Sequence, residues 1–409
     1  MKEIVFTGYE KFMIAVLAFM QFTVILDFMV LSPLSAILLP ELQITTSQFG
    51  AVVSGYAFSA GISGVLAAGF ADKFDRKKLL LFFYVGFLVG TAFCASANSY
   101  YALLAARIFT GIFGGVIGSV SFAIITDIFP LQVRGRVMGF VQMAFSASQV
   151  MGLPIGLFLA DKMGWHSVFW MIVVLGVMAG VLIFSYMRPV NAHLNLDIKV
   201  NAFKHLYSTV SNPDYIKVFL STILLASGGF ILMPFGAAYS TNNLGIDFAY
   251  LPLIYGITGV STFIFGPLIG KLSDKQGKLK IFVIGTLFGL PFLLIYTNLG
   301  ITPLWLVATL NILIFISINA RMITSSALIT AVPDLKDRGA FMSINSSVQQ
   351  LSGGIAAYIA GMLIYQRADG YIEHYPRLGI AVIITMVISG GLMFIINGLV
   401  NKRMKAAAV

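Results

Sequence analysis

The chain is short of almost everything that soluble enzymes use for chemistry. It has one cysteine, Cys94, which excludes an internal disulfide and any cysteine-based metal site. Cys94 lies inside an apolar run and reads as a small packing residue. The four histidines, at 166, 193, 205 and 374, stand outside the apolar runs or at their ends and offer no metal-ligand spacing. No glycine loop with Lys and Ser or Thr is present to cradle a phosphate, so ATP-driven chemistry is not expected. No ring of repeated polar groups suggests a channel. An enzyme is therefore not expected, and neither is a cofactor. Carboxylates are also scarce: of 16 Asp and Glu, Asp27 alone lies deep inside a long apolar segment.

What the chain has in quantity is hydrocarbon. It is 58% hydrophobic and 10% charged, with a mean hydropathy of +0.93. Soluble domains carry about 25% charged residues. Apolar stretches of roughly 20 residues recur throughout, the length that crosses a hydrocarbon core of about 30 Å. They divide into twelve spans near 12–39, 48–71, 79–97, 100–126, 137–160, 166–187, 215–241, 249–272, 280–297, 302–331, 340–365 and 377–400. The first lacks a small-residue cleavage site after a short apolar core, so it reads as a retained helix. A net charge of +10 raises the question of nucleic acid, but placement answers it. Of 26 Lys and Arg, 21 fall in the connections or at the span ends on the side that holds both termini. Lys162, Arg367 and Arg377 lie opposite, and Arg107 and Arg321 lie within spans. The basic excess is a topology signal that places both termini in the cytoplasm, and nucleic-acid binding is not expected. The expected location is the cell membrane, as a multi-pass protein of the bacterial inner membrane.

The organisation repeats. Gly69-Phe70-Ala71-Asp72-Lys73-Phe74-Asp75-Arg76 follows the second span, and Gly270-Lys271-Leu272-Ser273-Asp274-Lys275-Gln276-Gly277 follows the eighth. Pro130 with Arg134-Gly135 and Met138 matches Pro333 with Arg338-Gly339 and Met342 at nearly the same offset. Two matches at one offset predict two related six-helix halves, 1–190 and 214–409. The polar stretch 191–213 is the linker, with a spacing that permits a short amphipathic helix.

At these residues the chain resembles the major facilitator superfamily over essentially its whole length. The stretch at Asp72 is similar to the family's signature after the second helix, though Asp75 stands where the family usually has glycine. Arg107-Ile108-Phe109-Thr110-Gly111 resembles the R-x-x-x-G motif of the fourth helix. Gly152-Leu153-Pro154-Ile155-Gly156 is a partial version of the fifth-helix antiporter motif, and Leu26-Asp27-Phe28 continuing to Leu39-Pro40 is similar to a pattern of drug:proton antiporters. The resemblance is to the twelve-helix drug or metabolite:proton antiporter (arabinose-efflux-like) branch. It implies an all-α integral membrane protein of two pseudo-symmetric six-helix bundles, working as a monomer by alternating access. It also implies a gating network of ion pairs at the inner helix ends, carried here by Asp72, Arg76, Asp127 and Arg134, with Asp274 in the second-half copy.

Depth brings Asp27 and Arg107 to one level. At 1.5 Å per residue, Asp27 lies roughly 22 Å in from the inner side and Arg107 roughly 9 Å in from the outer side. A guanidinium favours the charged carboxylate and desolvation favours the neutral acid, so a carrier can balance the two to load and unload a proton. A structural Asp–Arg clamp is the plainer alternative. Arg321 has no mid-span acid in its own half, and either docks an anionic substrate group or bonds within the protein. Gln21, Gln142, Gln149, Asn311, Asn319, Asn345, Gln349 and Gln350 are polar residues within apolar segments and candidates for a substrate cavity, with Phe230, Tyr239 and Tyr255 as aromatic lining. Ordinary interhelical hydrogen bonds account for any one of them. The expected function is a proton-coupled exporter of drugs or small amphipathic or polar metabolites, with protons as the coupling ion. A symporter or uniporter importing a sugar or organic acid, and a non-transporting membrane sensor or scaffold, are the rival readings.

Overall fold

The computed structural model describes residues 6–68, 70–191, 194, 207–334 and 337–407. Most of the linker, with His193, Asp197, Lys199, Lys204 and His205, lies outside the described residues. The helices are α1 (Gly8–Val30), α2 (Ser35–Glu41), α3 (Thr46–Ala68), α4 (Arg76–Ala95), α5 (Tyr100–Ile128), α6 (Leu131–Ala147), α7 (Leu153–Met163) and α8 (His166–Tyr186). They continue with α9 (Pro213–Leu232), α10 (Gly236–Asn242), α11 (Leu251–Gln276), α12 (Lys278–Thr297), α13 (Leu304–Ile329), α14 (Arg338–Leu363) and α15 (Tyr375–Ala407). Strands β1 (Tyr365–Gln366) and β2 (Ile372–Glu373) form an antiparallel hairpin between α14 and α15.

Eleven helical spans among the described residues are long and apolar enough to cross a membrane. Helix α14 is not among them despite its 26 residues. Ser343, Asn345, Ser346, Ser347, Gln349 and Gln350 interrupt its apolar run. Helix ends follow local chemistry. Thr7 accepts from the Glu10 N–H at 3.2 Å while Glu10 accepts from the Thr7 N–H at 2.7 Å, a capping box that opens α1. Ser99 caps α5, and Asn212 caps α9 with Pro213 at its first turn. Proline also divides spans that hydropathy alone joins, because it cannot donate to the helix ladder. The predicted span 12–39 breaks at 31–34, around Pro33, and the span 215–241 changes to a 3₁₀ turn at Met233–Phe235, around Pro234.

The chain divides into two compact units: Met1–Leu31 with Gly55–Val200, and Ser32–Ser54 with Asn201–Val409. In the first, α4 packs along α5 and α8, and α1 packs along α6 and α8. Leu17, Met20, Leu80, Tyr84, Phe87, Ile117 and Ile124 form part of its core. In the second, α9 packs between α14 and α15, and α13 between α11 and α12. Segment 32–54 joins the second unit through close backbone approach. The Thr46 hydroxyl donates to the carbonyls of Gly361 and Ile364 at 2.9 Å, and Ser54 Oγ to that of Gly354 at 2.7 Å. A Cβ on Gly50 would lie 2.8 Å from Ala357 O, and one on Gly361 would lie 2.5 Å from Thr46 O, so only glycine fits at these crossings. The hairpin is pinned by Asn243, which donates to Ile372 O and accepts from Ile372 N, both at 2.9 Å.

Candidate functional site

The first unit holds a charge pair sealed from solvent. Arg107 Nη1 on α5 donates to Asp27 Oδ2 on α1 at 2.7 Å, with side-chain exposures of 1% and 0%. The same Nη1 lies 3.4 Å from the Asp27 carbonyl. Thr91 Oγ1 on α4 lies 3.2 Å from Asp27 Oδ1 and 3.0 Å from the Phe87 carbonyl, so its one proton is shared between them. On the far face of the guanidinium the Tyr56 ring of α3 lies 4.3 Å from Arg107 Cζ, a cation–π stack. Cys94 Sγ lies 3.7 Å from Thr110 Oγ1 beside the pair. Depth arithmetic places Asp27 and Arg107 at one level, and their side chains do meet. Sequence does not single out Tyr56 or Thr91, because neither an aromatic nor a lone hydroxyl is distinctive in so apolar a chain.

Helix α5 brings these groups together by what it lacks. A Cβ on Gly111 would lie 2.5 Å from Tyr56 O and 2.1 Å from Ser59 Oγ. One on Gly115 would lie 2.2 Å from Ala60 O, and one on Gly114 2.6 Å from the Tyr56 hydroxyl. The glycine face of α5 thus seats the backbone of α3 directly, which carries the Tyr56 ring over Arg107. Gly90 on α4 does the same towards α5, since its Cβ would lie 2.8 Å from Thr110 Cα. Burying an ion pair costs each ion several kcal/mol of hydration, so the hydrogen bonds on both sides are what make this arrangement tenable.

Gly152, Pro154 and Gly156 sit where α6 passes into α7 through a π-helical turn, Ser148–Gly152. The Leu153 N–H bonds to Ser148 O, five residues back, which re-registers the ladder just ahead of the proline. A Cβ on Gly152 would lie 2.7 Å from Leu26 Cδ1, so this turn packs against the residue next to Asp27.

At the end of the unit bearing the basic loops, Arg76 Nε pairs with Asp127 Oδ2 at 3.2 Å and Arg76 Nη1 donates to Ala71 O at 3.0 Å. Arg134 instead caps the end of α5, donating to Phe129 O at 2.9 Å and Thr126 O at 2.6 Å. The Asp72 side chain lies outside the described residues. In the second unit Asp274 pairs with Lys278 one turn on, at 3.6 Å and largely exposed, an interaction of about 0.3–0.5 kcal/mol. A second network there is not legible in the sequence. Arg403 on α15 pairs with Asp334 at 2.8 Å and Asp214 at 3.8 Å, and Tyr215 donates to Asp337 at 3.1 Å.

The remaining polar candidates are spread out. Gln21 and Gln149 are buried, and the Gln149 Oε1 has no partner among the described residues. Gln21 lies towards α5, its Nε2 3.6 Å from where a Cβ on Gly118 would stand. Gln142 and Gln349 are exposed, and Gln350 is half-buried. Asn345 accepts from Thr222 at 2.6 Å, joining α14 to α9, and Asn319 donates to Thr262 at 3.2 Å, joining α13 to α11. Asn311 bonds back to Val307 O of its own helix. Arg321 is 8% exposed and donates to Ser389 Oγ of α15 at 2.9 Å, with the Phe282 ring of α12 5.4 Å from its Cζ. Tyr239 is buried against Tyr375, ring centroids 3.7 Å apart, and donates to Leu299 O at 2.9 Å. Phe230 packs on Gly353, and Tyr255 is half-buried.

Comparison with known proteins gives a consistent family. A family model described as "Major Facilitator Superfamily" matches residues 17–357 and 218–402. The chain is 27% identical over 276 residues to "Uncharacterized MFS-type transporter YceJ" of Bacillus subtilis (strain 168), covering 65% of this chain and 69% of that protein. It is 31% identical over 150 residues to "Multidrug resistance protein 3" of the same organism, covering 37% of this chain and 28% of that one. It is 21% identical over 345 residues to a "Probable sugar efflux transporter" of Helicobacter pylori (strain G27), covering 81% and 82%. Among solved structures, a bacterial homologue of the human lysosomal transporter Spinster superposes with a TM-score of 0.70 at 17% identity, covering 97% of both chains.

Proposed function

Because the chain belongs to the Major Facilitator Superfamily, and is a multi-pass membrane transporter and not an enzyme, we propose that it exports drugs or small amphipathic metabolites in exchange for protons. The observation that carries this reading is the Asp27–Arg107 pair. Asp27 is fully buried, and no other carboxylate is buried among the described residues. An ionisable group buried within a membrane-spanning segment is by default a functional one, because a purely structural role is filled at lower cost by neutral residues. Asp27 is held by Arg107, with the Thr91 hydroxyl in reach of its other oxygen, when charged, and it can also be neutralised by a proton, whereas the guanidinium cannot shed its charge. The two protonation states of Asp27 therefore differ in how tightly α1, α4 and α5 are tied together. That difference is what a carrier needs if protonation is to bias its two conformations.

In this reading twelve helices span the membrane, α14 included, with both termini on the cytoplasmic side. The two halves open alternately to each face, and the Arg76–Asp127 pair belongs to the contacts that hold one of those states. Export, and not import, is favoured by the efflux and resistance names carried by two of the relatives. The test is uptake into acid-inside vesicles of two probes in parallel, ethidium and a radiolabelled hexose. Uptake that collapses when the pH gradient is discharged, and that is absent in Asp27→Asn, is the expected result. Gradient-driven uptake of either probe by Asp27→Asn at the wild-type rate overturns the coupling role.

A further inference from the structure

We propose that Tyr56 is the proton-site seal: its ring both holds the Arg107 guanidinium against Asp27 and keeps water from the pair. The proposal rests on the proton-coupling reading, but its first measurement does not. Three helices supply the site's polar groups: Asp27 from α1, Thr91 and Cys94 from α4, and Arg107 and Thr110 from α5. The fourth side is an aromatic face. Tyr56 is 2% exposed, lies 4.3 Å from Arg107 Cζ, and is flanked by the Phe28 ring at 5.5 Å. Arg107 Nε is buried and has no hydrogen-bond partner among the described residues. That N–H thus makes no hydrogen bond, and the Tyr56 ring stacked on the guanidinium, with the Cys94 thiol near it, is what Arg107 has beside its bonds to Asp27. An aromatic face suits such a donor, because it attracts the cation without competing with Asp27 for it.

The seal is movable only at its side chain. The Tyr56 carbonyl and Cα lie 2.5 and 3.0 Å from where a Cβ on Gly111 would stand, so the backbone of α3 is seated against α5 at this point. The ring hangs from that fixed backbone and turns only about its own side-chain bonds. Rotation of the ring, with α3 in place, would take the aromatic cover off Arg107, and a proton site must be reachable in one state and closed in the other. A ring at this position therefore separates coupled exchange from a passive proton leak.

The chain supplies its own reporter, because Cys94 is the sole cysteine and is fully buried beside the pair. Purified Tyr56→Ala, Tyr56→Leu and Tyr56→Phe are treated with N-ethylmaleimide, and the same proteins in vesicles are assayed for proton leak without substrate. The expected result is an alkylation rate at least ten-fold above wild type for Tyr56→Ala and intermediate for Tyr56→Leu, with Tyr56→Phe close to wild type. Leak should follow the same order and vanish in Tyr56→Ala/Asp27→Asn, which a general loss of packing would not produce. If Tyr56→Ala does not fold, Tyr56→Leu carries the test, since it keeps apolar bulk and lacks the planar face. Alkylation no faster in either variant than in Tyr56→Phe overturns the seal. Faster alkylation with a leak that persists without Asp27 keeps the seal over Cys94 and removes the proton site beneath it.

Discussion

Replacing Asp27 by Asn is the most informative single change, because the structure predicts both its size and how a second change repairs it. Asn keeps the volume and still accepts from Thr91, but it removes the negative charge 2.7 Å from Arg107 Nη1. The guanidinium is then left buried and uncompensated, with the Tyr56 ring and the residue 27 carbonyl as its remaining favourable contacts. Breaking a buried pair at one partner costs about 3–5 kcal/mol, and the cation–π stack, present in the wild type as well, cancels from the difference. The net loss is therefore on the order of 3–5 kcal/mol. Arg107→Gln should cost less, since a lone buried carboxyl can neutralise itself by binding a proton and a guanidinium cannot. The double variant should recover much of the Asp27→Asn loss, because replacing both charges by neutral groups is often neutral. Thermal unfolding followed by a thiol-reactive dye suits the assay, since the one thiol, Cys94, is buried in the folded chain. A stability order of wild type and double variant above Arg107→Gln above Asp27→Asn is expected. An Asp27→Asn protein as stable as wild type, or a double variant no better than Asp27→Asn, refutes the electrostatic account.

Two further expectations follow from packing. Gly115→Leu drives a side chain into Ala60 O, which lies 2.2 Å from where a Cβ on residue 115 would stand, so α3 and α5 must separate. Overpacking of this kind costs about 1–3 kcal/mol, and Cys94 alkylation should rise together with the fall in thermal stability. Asn243→Ala removes both hydrogen bonds to Ile372 and leaves that buried backbone pair unsatisfied, a loss of about 2–6 kcal/mol across two bonds. Limited proteolysis at the 365–373 hairpin should accelerate in Asn243→Ala and remain at the wild-type rate in Asn298→Ala, whose amide bonds only within its own helix end.

Much of this arrangement is legible from the chain alone. Apolar length locates the spans, and a count of residues at 1.5 Å each brings Asp27 and Arg107 to one depth without knowledge of any contact. The glycines of α5 announce a close helix neighbour, but not which one. Their partner is α3, reached only through a crossing that no local pattern encodes. Tyr56 is hidden for the same reason: among 35 Phe and 16 Tyr, its place over Arg107 follows from that crossing and from nothing in its own neighbourhood. Segment 32–54 joins the second unit through bonds to residues some 300 positions away, such as Ser54 to Gly354. The π-helical turn at Ser148–Gly152 reads in sequence as a simple proline bend, since the missing N–H is visible there but not how the ladder re-forms around it. Arg321 turns towards Ser389 and Phe282, a choice its own helix leaves open.

The central claim is that Asp27 gains and loses a proton while the protein works. Infrared difference spectroscopy of wild type against Asp27→Asn, titrated across the pH range of transport, isolates this one carboxyl among the sixteen acidic side chains. A protonated-carboxyl band that grows as pH falls, and is absent in the variant, is the predicted result. A difference spectrum showing only a carboxylate at every pH that supports transport would contradict it.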